Sequence, residues 1–459
     1  MKYQIPKEVS AVFNKFRKKG FEIFAVGGAV RNLILNKMTY DWDFTTNAQP
    51  EEIIKLFKES FYDNKFGTVG IPVKSLSSVF EITTYRSELG FTNHRHPDKI
   101  IWGKTLEEDL KRRDFTINTL VFDGSDIRDL LGGKTDLDNR LIKAVGDASE
   151  RFQEDALRML RAVRIATQLK FIIEPKTFAA IQKNNKLLNK ISQERIRDEL
   201  IKILSSEYPT DGILLLRNCG ILTIILPELD ACFGVEQKSP KRHHKYDVGT
   251  HLMESLRHCP SLSPYVRLAT LLHDIGKPSV FNKTEEGVIT FYNHEIIGDS
   301  MVKKIITRLH LSKKESEKIS RLVKYHQFTV DERQTDKAVR RFIKNVGLEN
   351  LKDILDLRIG DRLGGGATET SWRLDLFKKR LIEVQKQPFT ISDLKIDGLD
   401  VMKILHLTPG PKVGEVLSSL YAKVIDGKIK NDRESLLTEI KAFFSSKTNL
   451  PKSPEAEQR

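Results

Sequence analysis

The sequence predicts an α+β fold, in which a small sheet-containing head is followed by an all-helical region. Two patterns predict it. Over about the first 145 residues, short alternating apolar segments are bounded by turn residues, as is typical of β-strands. From about residue 150, apolar residues recur with the 3.6-residue period of amphipathic helices. Since domains commonly hold ~150 residues, a chain of 459 residues is expected to form about three.

The head is predicted to contain three clear strands and one helix between the second and third of them. The strands cover residues 21–28, 40–44 and 79–85. The intervening helix runs from about residue 49 to 59. The helical region begins with a long amphipathic helix over residues 156–166.

The overall charge favours a polyanionic partner such as RNA. Lysine and arginine outnumber aspartate and glutamate by 76 to 62, which gives a net charge of +14 and a pI near 9.4. Such an excess suits phosphate-rich ligands, although many basic proteins bind no nucleic acid. Charge alone therefore leaves the partner open.

Several protein classes are excluded by composition. No apolar run approaches the ~20 residues that span a bilayer, which excludes a membrane protein. The N-terminus lacks the apolar core of a signal peptide, so we expect a cytoplasmic chain. Cys219, Cys232 and Cys259 are too few and too scattered for a disulfide framework or a paired-cysteine zinc site.

The head carries a glycine turn followed by a pair of acids. Two glycines after a strand, in Gly27-Gly-Ala-Val-Arg31, let backbone N–H groups approach a phosphate closely, and the arginine can add a charged fork. On a strand, Asp41 and Asp43 would share one face, where two carboxylates can bind the Mg²⁺ of nucleotidyl transfer. Each piece alone is more often structural, but their order and spacing favour the functional interpretation.

Two charged stretches follow, and each has a plain structural alternative. Residues 108–118 place a basic pair next to an acid at the start of a predicted apolar helix, which a solvated helix start explains equally well. Asp155 and Arg158 are three residues apart and are expected to meet on one helix face, where Arg161 and Arg164 continue a basic band. A solvated charged face is the alternative for this second stretch.

Taken together, these motifs resemble class II tRNA nucleotidyltransferases, which comprise the CCA-adding enzymes and their bacterial poly(A) polymerase relatives. The motifs are GGAVR with DWD, RRDFTIN, LLGGKTDLDNRLIKAVGDA and EDALRMLRAVR, in this order. The resemblance covers roughly the first 230 residues. It implies a polymerase-β-like head over 1–145 and a helical neck and body over 146–235. It also implies Mg²⁺ as cofactor, tRNA as partner, and CTP and ATP as substrates.

The resemblance also implies roles for individual residues. The glycine turn and its arginine would hold the triphosphate, the acid pair would bind the catalytic Mg²⁺, and Arg113 would contact the nucleotide. Asp155 and Arg158 would present donor and acceptor groups to the Watson–Crick edge of the incoming base, as a protein template. The implied catalytic residues are Asp41, Asp43 and Arg113. The implied nucleotide-binding residues are Gly28, Arg31, Arg113, Asp155, Arg158, Arg161 and Arg164.

Two further stretches match the family. Residues 86–96 correspond to its flexible loop, which is associated with the switch from cytidine to adenosine addition, and residues 191–200 to its helix-capping motif. Asn32 replaces the usual aspartate and Thr119 a usual alanine, and neither position carries chemistry in this interpretation.

A second metal site is predicted in the middle of the chain. His251, then His273-Asp274, then Asp361 follow the order of HD phosphohydrolases, which they resemble, and 271–277 resembles the characteristic helix of that superfamily. A lone histidine is more often an ordinary core or surface residue, and His-Asp pairs also occur by chance. Imidazoles with carboxylates suit Mg²⁺, Mn²⁺, Ni²⁺ or Co²⁺, which can activate water against a phosphodiester. The positions at which two-metal members carry extra ligands are His294 and His326.

The remaining segments complete the predicted domain order. An HD phosphohydrolase-like domain is expected over 236–366, ending in three glycines, and a helical tail over 367–450. Stretches at 389–398 and 409–417 resemble the family's tail module, which implies tRNA binding. Between Arg373 and Arg459 there are 16 basic and 12 acidic residues, a weak excess that is compatible with phosphate contacts. Residues 451–459 are expected to be disordered.

Four functions therefore stay open at the level of sequence. CCA addition comes first, together with hydrolysis of cyclic and 2′-phosphates at the HD site, which only the resemblance implies. An enzyme that adds only adenosine, or poly(A), would use the same template pair. A phosphohydrolase with a degenerate head, or a non-catalytic RNA-binding protein, fits less well because the catalytic motifs are complete.

Overall fold

The structure is a computed structural model that describes eight stretches of the chain. They are residues 3–63, 67–89, 99–103, 105–237, 246–328, 331–385, 391–426 and 428–448. Most of the loop predicted at 86–96 and all of the tail predicted at 451–459 lie outside them. The chain divides into two compact units, Met1–Gln327 with Lys352–Glu369, and Phe328–Leu351 with Thr370–Arg459.

The head of the first unit is a seven-stranded mixed sheet. Its strands are β1 (Ile23–Val26), β2 (Asp43–Thr46), β3 (Phe61–Asp63), β4 (Thr68–Val73), β5 (Ser78–Thr84), β8 (Val121–Phe122) and β9 (Ile127–Arg128), with β6 (Arg86–Leu89) and β7 (Lys99–Trp102) pairing separately. The order across the sheet is β3-β4-β5-β2-β1-β8-β9, with β2 and β5 parallel and the other neighbours antiparallel. The three predicted strands are confirmed, although the second begins only at Asp43.

Five helices accompany this sheet. They are α1 (Lys7–Arg17), α2 (Gly28–Ile34), α3 (Pro50–Leu56), α4 (Leu106–Lys111) and α5 (Gly133–Asp138). On α1, the buried Phe13 packs edge-on against Phe44 of β2 and Phe122 of β8, with ring centroids 5.7 and 5.8 Å apart. This aromatic core fixes the sheet from one side.

The remainder of the first unit is almost entirely helical. Its helices are α6 (Ala148–Glu154), α7 (Leu157–Leu169), α8 (Pro175–Asn184), α9 (Gln193–Leu204), α10 (Pro209–Asn218), α11 (Leu222–Ile225), α12 (Pro227–Asp230), α13 (Val248–His258), α14 (Pro264–Leu272), α15 (His294–Arg308), α16 (Lys313–Lys324) and α18 (Leu351–Gly364). Short strand pairs join β10 (Leu141–Ile142) to β11 (Ile172–Ile173) and β12 (Asn282–Lys283) to β13 (Ile289–Thr290). The amphipathic helix predicted at 156–166 is confirmed as α7, and α18 ends at the first glycine of the predicted linker.

The second unit contains helices and no strands among its described residues. It contains α17 (Asp336–Val346), α19 (Trp372–Gln385), α20 (Gly398–Leu405), α21 (Pro411–Ile425) and α22 (Arg433–Thr448). Phe328, Phe342 and Phe377 pack as one aromatic group, with centroids 4.8 to 5.4 Å apart. A separate apolar core includes Val401 and Leu420. No helix among the described residues of either unit is long and apolar enough to cross a bilayer.

Candidate active site and candidate metal centre

The backbone of the glycine turn lies close to two predicted site residues, Asp43 and Arg113. Gly27 follows β1 with a φ of +79°, which favours glycine, and α2 begins at Gly28. A Cβ atom on Gly27 would lie 3.5 Å from Asp43 Oδ2 and 3.9 Å from Arg113 Nη1. The turn, the acid and the arginine therefore meet at the end of β1.

The acid pair is joined by a third carboxylate. Trp42 is only 1% exposed, while Asp41 before it is exposed and Asp43 is partly buried. Parallel pairing of β2 with β5 sets Asp43 opposite Glu81, which sequence reasoning missed. Burial, together with the negative charges of Asp41 and Glu81, raises the pKa of Asp43 to about 6. An all-oxygen set of mutually repelling carboxylates fits a hard divalent cation such as Mg²⁺.

Two arginines beside these acids retain unused hydrogen-bond donors. Arg31 Nη1 donates to Asn118 Oδ1 at 2.8 Å, and Arg113 Nη2 approaches Asp109 Oδ2 at 3.2 Å. The buried Nε of each arginine finds no acceptor among the described residues. Burial lowers the pKa of Arg31 to about 10. Unsatisfied buried donors of this kind fit the oxygens of a bound polyphosphate.

A buried aspartate connects the basic pair to strand β2. Asp109, fully buried on α4, accepts a hydrogen bond from Thr45 of β2 at 3.0 Å and forms ion pairs with Arg112 and Arg113 at 2.6 and 3.2 Å. Burial opposes its ionisation, but the two guanidinium groups outweigh burial and lower the pKa of Asp109. The basic pair follows the end of α4, and only a single 3-10 turn (Thr116–Asn118) begins after it, so the expectation of an apolar helix that starts at this position is wrong.

Asp155 and Arg158, the predicted template residues, each form an ion pair with another residue. Asp155 lies between α6 and α7 in an extended conformation (φ −142°, ψ 104°), so the expectation that it shares a helix face with Arg158 is wrong. Its carboxylate accepts from Leu157 N at 3.1 Å and pairs with both terminal nitrogens of Arg195 at 3.2 and 2.8 Å. Arg158 pairs with Glu154 at 2.5 Å.

The other two arginines of the predicted basic band also form ion pairs. Arg161 contacts Asp114 Oδ2 through Nε at 2.8 Å and Nη2 at 2.5 Å, and Arg164 contacts Glu199 at 2.6 Å. Burial opposes the ionisation of Asp114, but Arg161 and a hydrogen bond from Asn118 hold its pKa well below the usual range. The charges of Arg161 and Arg164 reach the buried guanidinium of the glycine turn, whose pKa they lower. The predicted arginines are therefore brought to one region.

The predicted HD residues converge on a second centre. His251 lies on α13, His273 and Asp274 directly follow α14, and Asp361 lies on α18. His251 Nε2 is 3.3 Å from His273 Nε2, 3.4 Å from Asp274 Oδ2 and 3.3 Å from Asp361 Oδ1. These ligand atoms come from three helical regions that are far apart in sequence.

His294 and His326 approach the other oxygen of the same aspartate. His294 Nε2 is 3.1 Å and His326 Nε2 is 3.4 Å from Asp274 Oδ1, and the two nitrogens are 3.4 Å apart. Asp274 thus lies between two groups of imidazoles, one at each oxygen. Nitrogen and oxygen donors in such an arrangement fit one or two transition-metal ions.

Carbonyl groups orient three of these imidazoles. The Nδ1 atoms of His273, His294 and His326 lie 2.8, 2.8 and 2.6 Å from the carbonyl oxygens of Thr270, Phe291 and Val323. When Nδ1–H donates to a carbonyl, Nε2 of the neutral ring is free to ligate a metal. Burial opposes protonation of His273, but Asp274 and Asp361 raise its pKa to about 10, whereas burial lowers the pKa of His326. The acids therefore attract positive charge to this centre.

Two cations border the centre, and sequence reasoning assigned a role to neither. Lys277 Nζ lies 2.6 Å from both Asp274 Oδ2 and Gln237 Oε1, and Arg358 Nη1 lies 3.0 Å from Asp361 Oδ2. Both line a cavity of about 440 Å³ into which the histidine–aspartate cluster opens. Lys277 follows Asp274 by three residues and Arg358 precedes Asp361 by three residues, so the sequence held the same signal for both.

Protein-family matches cover the head, the helical body and the C-terminal half. Residues 23–143 match the Poly A polymerase head domain, and residues 170–233 match the probable RNA and SrmB-binding site of polymerase A. Residues 281–440 match the tRNA nucleotidyltransferase domain 2, putative.

Curated relatives align with this chain over nearly their whole length. A CCA-adding enzyme of Pediococcus pentosaceus is 31% identical over 436 residues, covering 95% of this chain and 97% of that protein. One from Lactococcus lactis subsp. cremoris is 31% identical over 450 residues, covering 96% of this chain and 98% of that protein.

Solved structures share the fold. The Bacillus stearothermophilus CCA-adding enzyme in complex with CTP aligns with a TM-score of 0.67 at 24% identity, covering 97% of this chain and 99% of that one. The Thermotoga maritima CCA-adding enzyme complexed with tRNA aligns with a TM-score of 0.57 at 22% identity, covering 96% of both chains. The predicted architecture, a sheet head followed by helices, is confirmed.

Proposed function

We propose that this protein adds C, C and A to tRNA 3′ ends from CTP and ATP with Mg²⁺. The chain belongs to the family of CCA-adding enzymes and is a tRNA nucleotidyltransferase. The observation that supports the chemistry best is the convergence of Gly27, Asp43 and Arg113 within 4 Å of one point. Asp41 and Glu81 add negative charge beside them. A degenerate head would not be expected to keep this set.

In this proposal, Asp41 and Asp43 hold the cation, with Glu81 beside them. Bound there, Mg²⁺ would supply the charge that favours attack by the tRNA 3′-hydroxyl and departure of pyrophosphate. Arg31 and Arg113 direct their unused Nε–H donors to triphosphate oxygens. The glycine turn leaves room for those oxygens because it has no side chain there.

Base choice is assigned to the residues at the start of α7. Asp155 and Arg158 would contact the Watson–Crick edge of CTP or ATP, as the family resemblance implies. Arg195 forms a bidentate ion pair with Asp155, so the carboxylate is oriented before the nucleotide binds. Arg161 and Arg164 would complete the pocket next to Arg31, whose pKa their charges lower.

The direct test is extension of defined tRNA transcripts. Transcripts that lack CCA, CA or only A are incubated with CTP, ATP or both, and product lengths are read on a denaturing gel. We expect two C additions with CTP alone, and a final A only with ATP on a transcript ending in CC. Addition of A alone would assign the A-adding alternative, and unlimited A addition would assign poly(A) polymerase.

A second function is favoured by the histidine–aspartate cluster. His251, His273, Asp274 and Asp361 are proposed to hold a divalent ion such as Ni²⁺, Mn²⁺ or Co²⁺, with His294 and His326 available to a second ion. When bound, such an ion would lower the pKa of a water molecule and polarise a phosphodiester. The proposed reaction adds water across one P–O bond of a 2′,3′-cyclic phosphate.

The second function is tested by measuring hydrolysis with the wild-type protein. It is freed of metal, reloaded with Ni²⁺, Mn²⁺ or Co²⁺ in turn, and incubated with 2′,3′-cyclic AMP, and the nucleoside monophosphate is measured by chromatography. We expect hydrolysis with at least one of these ions. If none supports hydrolysis while the protein still extends tRNA, the cluster is a structural site.

The tail is proposed to bind tRNA. Lys412 lies in the first turn of α21, after Pro409-Gly-Pro, in the stretch that resembles the family's tail module. Lys412→Glu should raise the KM for tRNA without changing the KM for CTP, because the tail is assigned to tRNA alone. An unchanged KM for tRNA would remove this stretch from the proposal.

A further inference from the structure

An exposed aromatic ring lies at the rim of the HD cavity. Tyr292 is 76% exposed, and it lines the cavity together with Phe291 and His294. Only two peptide units separate Tyr292 from His294, so their Cα atoms are within ~7.6 Å of each other. Single exposed tyrosines are common on protein surfaces, but this one borders a cavity that holds metal-ligand side chains.

The wall beside Tyr292 is anchored by packing. Phe291 packs edge-on against Phe281, with ring centroids 5.9 Å apart, and its carbonyl oxygen lies 2.8 Å from His294 Nδ1. Asn293, the next rim residue, adopts a left-handed conformation with a φ of +61°, and its side chain does not cap α15. The segment that carries Tyr292 is thus tied at one end to the floor of the cavity.

At the floor of the cavity, the positive charges of Lys277 and Arg358 are offset by their ion pairs with Asp274 and Asp361, and Glu295 also lines the cavity. A divalent ion bound by the cluster would supply the charge that attracts an anionic phosphate. The cavity volume of about 440 Å³ lies in the range of small-molecule sites. A ligand that places a phosphate at this floor and a flat ring against the rim is a nucleotide, or the last nucleotide of an RNA strand.

We infer that Tyr292 stacks on a nucleobase and so makes the HD cavity select nucleoside phosphates over phosphate esters that lack a base. This inference rests on the proposed phosphohydrolase function. Aromatic stacking tolerates every base because each base has a flat π-face, so the selection would be for a base rather than for one particular base. Tyr292 is therefore a specificity residue, and the metal ligands alone would act on the phosphate.

The test compares a cyclic phosphate that carries a base with one that has neither base nor ribose. The ratio of kcat/KM for 2′,3′-cyclic AMP to that for glycerol 1,2-cyclic phosphate is measured with Mn²⁺ for wild type, Tyr292→Ala and Tyr292→Phe. We expect the ratio to fall about tenfold in Tyr292→Ala, through KM for the nucleotide, because stacking is lost. Tyr292→Phe keeps the ring and should keep the ratio. A ratio unchanged in Tyr292→Ala overturns the inference.

A matched control and a binding measurement keep the outcomes distinct. Ile296 is exposed at the same end of α15 but does not line the cavity, so Ile296→Ala should leave the ratio at its wild-type value. Binding of 2′-AMP to the Mn²⁺-loaded protein is measured by equilibrium dialysis, with His294→Ala to report binding outside this cavity. If no ester is hydrolysed, the proposed hydrolase function fails, and the dialysis decides the inference: weaker binding in Tyr292→Ala supports it, and equal binding refutes it.

Discussion

The head and the HD cavity use acids in opposite electrostatic settings. In the head, Asp43 faces other carboxylates, and its pKa is raised to about 6. In the cavity, burial opposes the ionisation of Asp274 and Asp361, but Lys277 and the histidines lower the pKa of Asp274, and His251 and His273 lower that of Asp361, well below the usual range. An all-oxygen set with excess negative charge suits Mg²⁺, whereas a mixed set suits later transition metals. The neighbours that surround an acid therefore set the kind of cation that its site fits.

The sharpest way to separate the two sites is to remove the head acid. Asp43→Asn should abolish incorporation of both CMP and AMP, with a loss of at least about a thousandfold in kcat, because the cation would lose a charged ligand in the transition state. Incorporation of labelled CTP on tRNA measures it. Asp138→Asn, an exposed acid of the head, should retain wild-type turnover.

The Asp43→Asn variant should also keep the metal-dependent hydrolysis of cyclic phosphates that is proposed for the HD site. Wild-type nucleotide addition by Asp43→Asn would remove Asp43 from the catalytic set. Loss of both activities in a folded Asp43→Asn protein would show instead that the two sites are coupled.

The converse change removes the HD ligands. His273→Ala combined with Asp274→Asn should eliminate hydrolysis of 2′,3′-cyclic nucleotides by the Mn²⁺- or Ni²⁺-loaded protein, because both proposed metal positions would share Asp274. CTP incorporation should stay near the wild-type rate. His258→Ala, an exposed histidine at the end of α13, serves as the control and should hydrolyse normally. Hydrolysis that survives in the double variant would place the reaction elsewhere in the chain.

A smaller effect is expected where one residue acts through another. Arg195→Ala removes the ion pair that orients Asp155, so discrimination of CTP and ATP against UTP and GTP should fall about tenfold, as one or two hydrogen bonds to the base are weakened. Incorporation of the four triphosphates is compared at equal concentration. Arg197→Ala lies on the same helix and pairs with Asp198 instead, so it should keep wild-type selectivity.

An Asp155→Ala variant provides the reference for this measurement. It should erode base choice at least as much as Arg195→Ala while leaving the Mg²⁺ requirement unchanged. If neither variant alters selectivity, the protein-template role of Asp155 is refuted.

The smallest effect is a pH dependence confined to the head. Because the pKa of Asp43 is raised to about 6, Asp43 takes up a proton as the pH falls through 6, and the protonated acid no longer offers an anionic ligand. Mg²⁺ affinity should therefore be constant above pH 7 and fall up to about tenfold per pH unit below pH 6. Isothermal titration from pH 5 to 8 measures it. A slope of the same size in Asp43→Asn would assign the proton to another group.

Much of the head could be predicted from local sequence. The strand and the glycine turn before Arg31 were predicted from the apolar segment and its turn residues, whereas helix α2 was not predicted. The buried Trp42 between two acids follows from the two-residue period of extended chain. The order of the HD ligands was also visible. Local periodicity could not show that α6 ends before Asp155. The Asp155 carboxylate accepts a hydrogen bond from Leu157 N in the next helix and pairs with Arg195, and these contacts replace a helical turn.

The sequence by itself determined which residue types are present and which neighbours share a strand or a helix. Tertiary structure decided which distant residues meet. Glu81 faces Asp43 only because β5 pairs parallel with β2, and Asp109 joins Thr45 to Arg113 only because α4 packs near that strand. Asp274 lies between two groups of imidazoles because four helical segments pack together. The physical reason is that the periodicity of a strand or helix relates residues only a few positions apart. Strand pairing and helix packing depend instead on the surface that is buried across the whole unit.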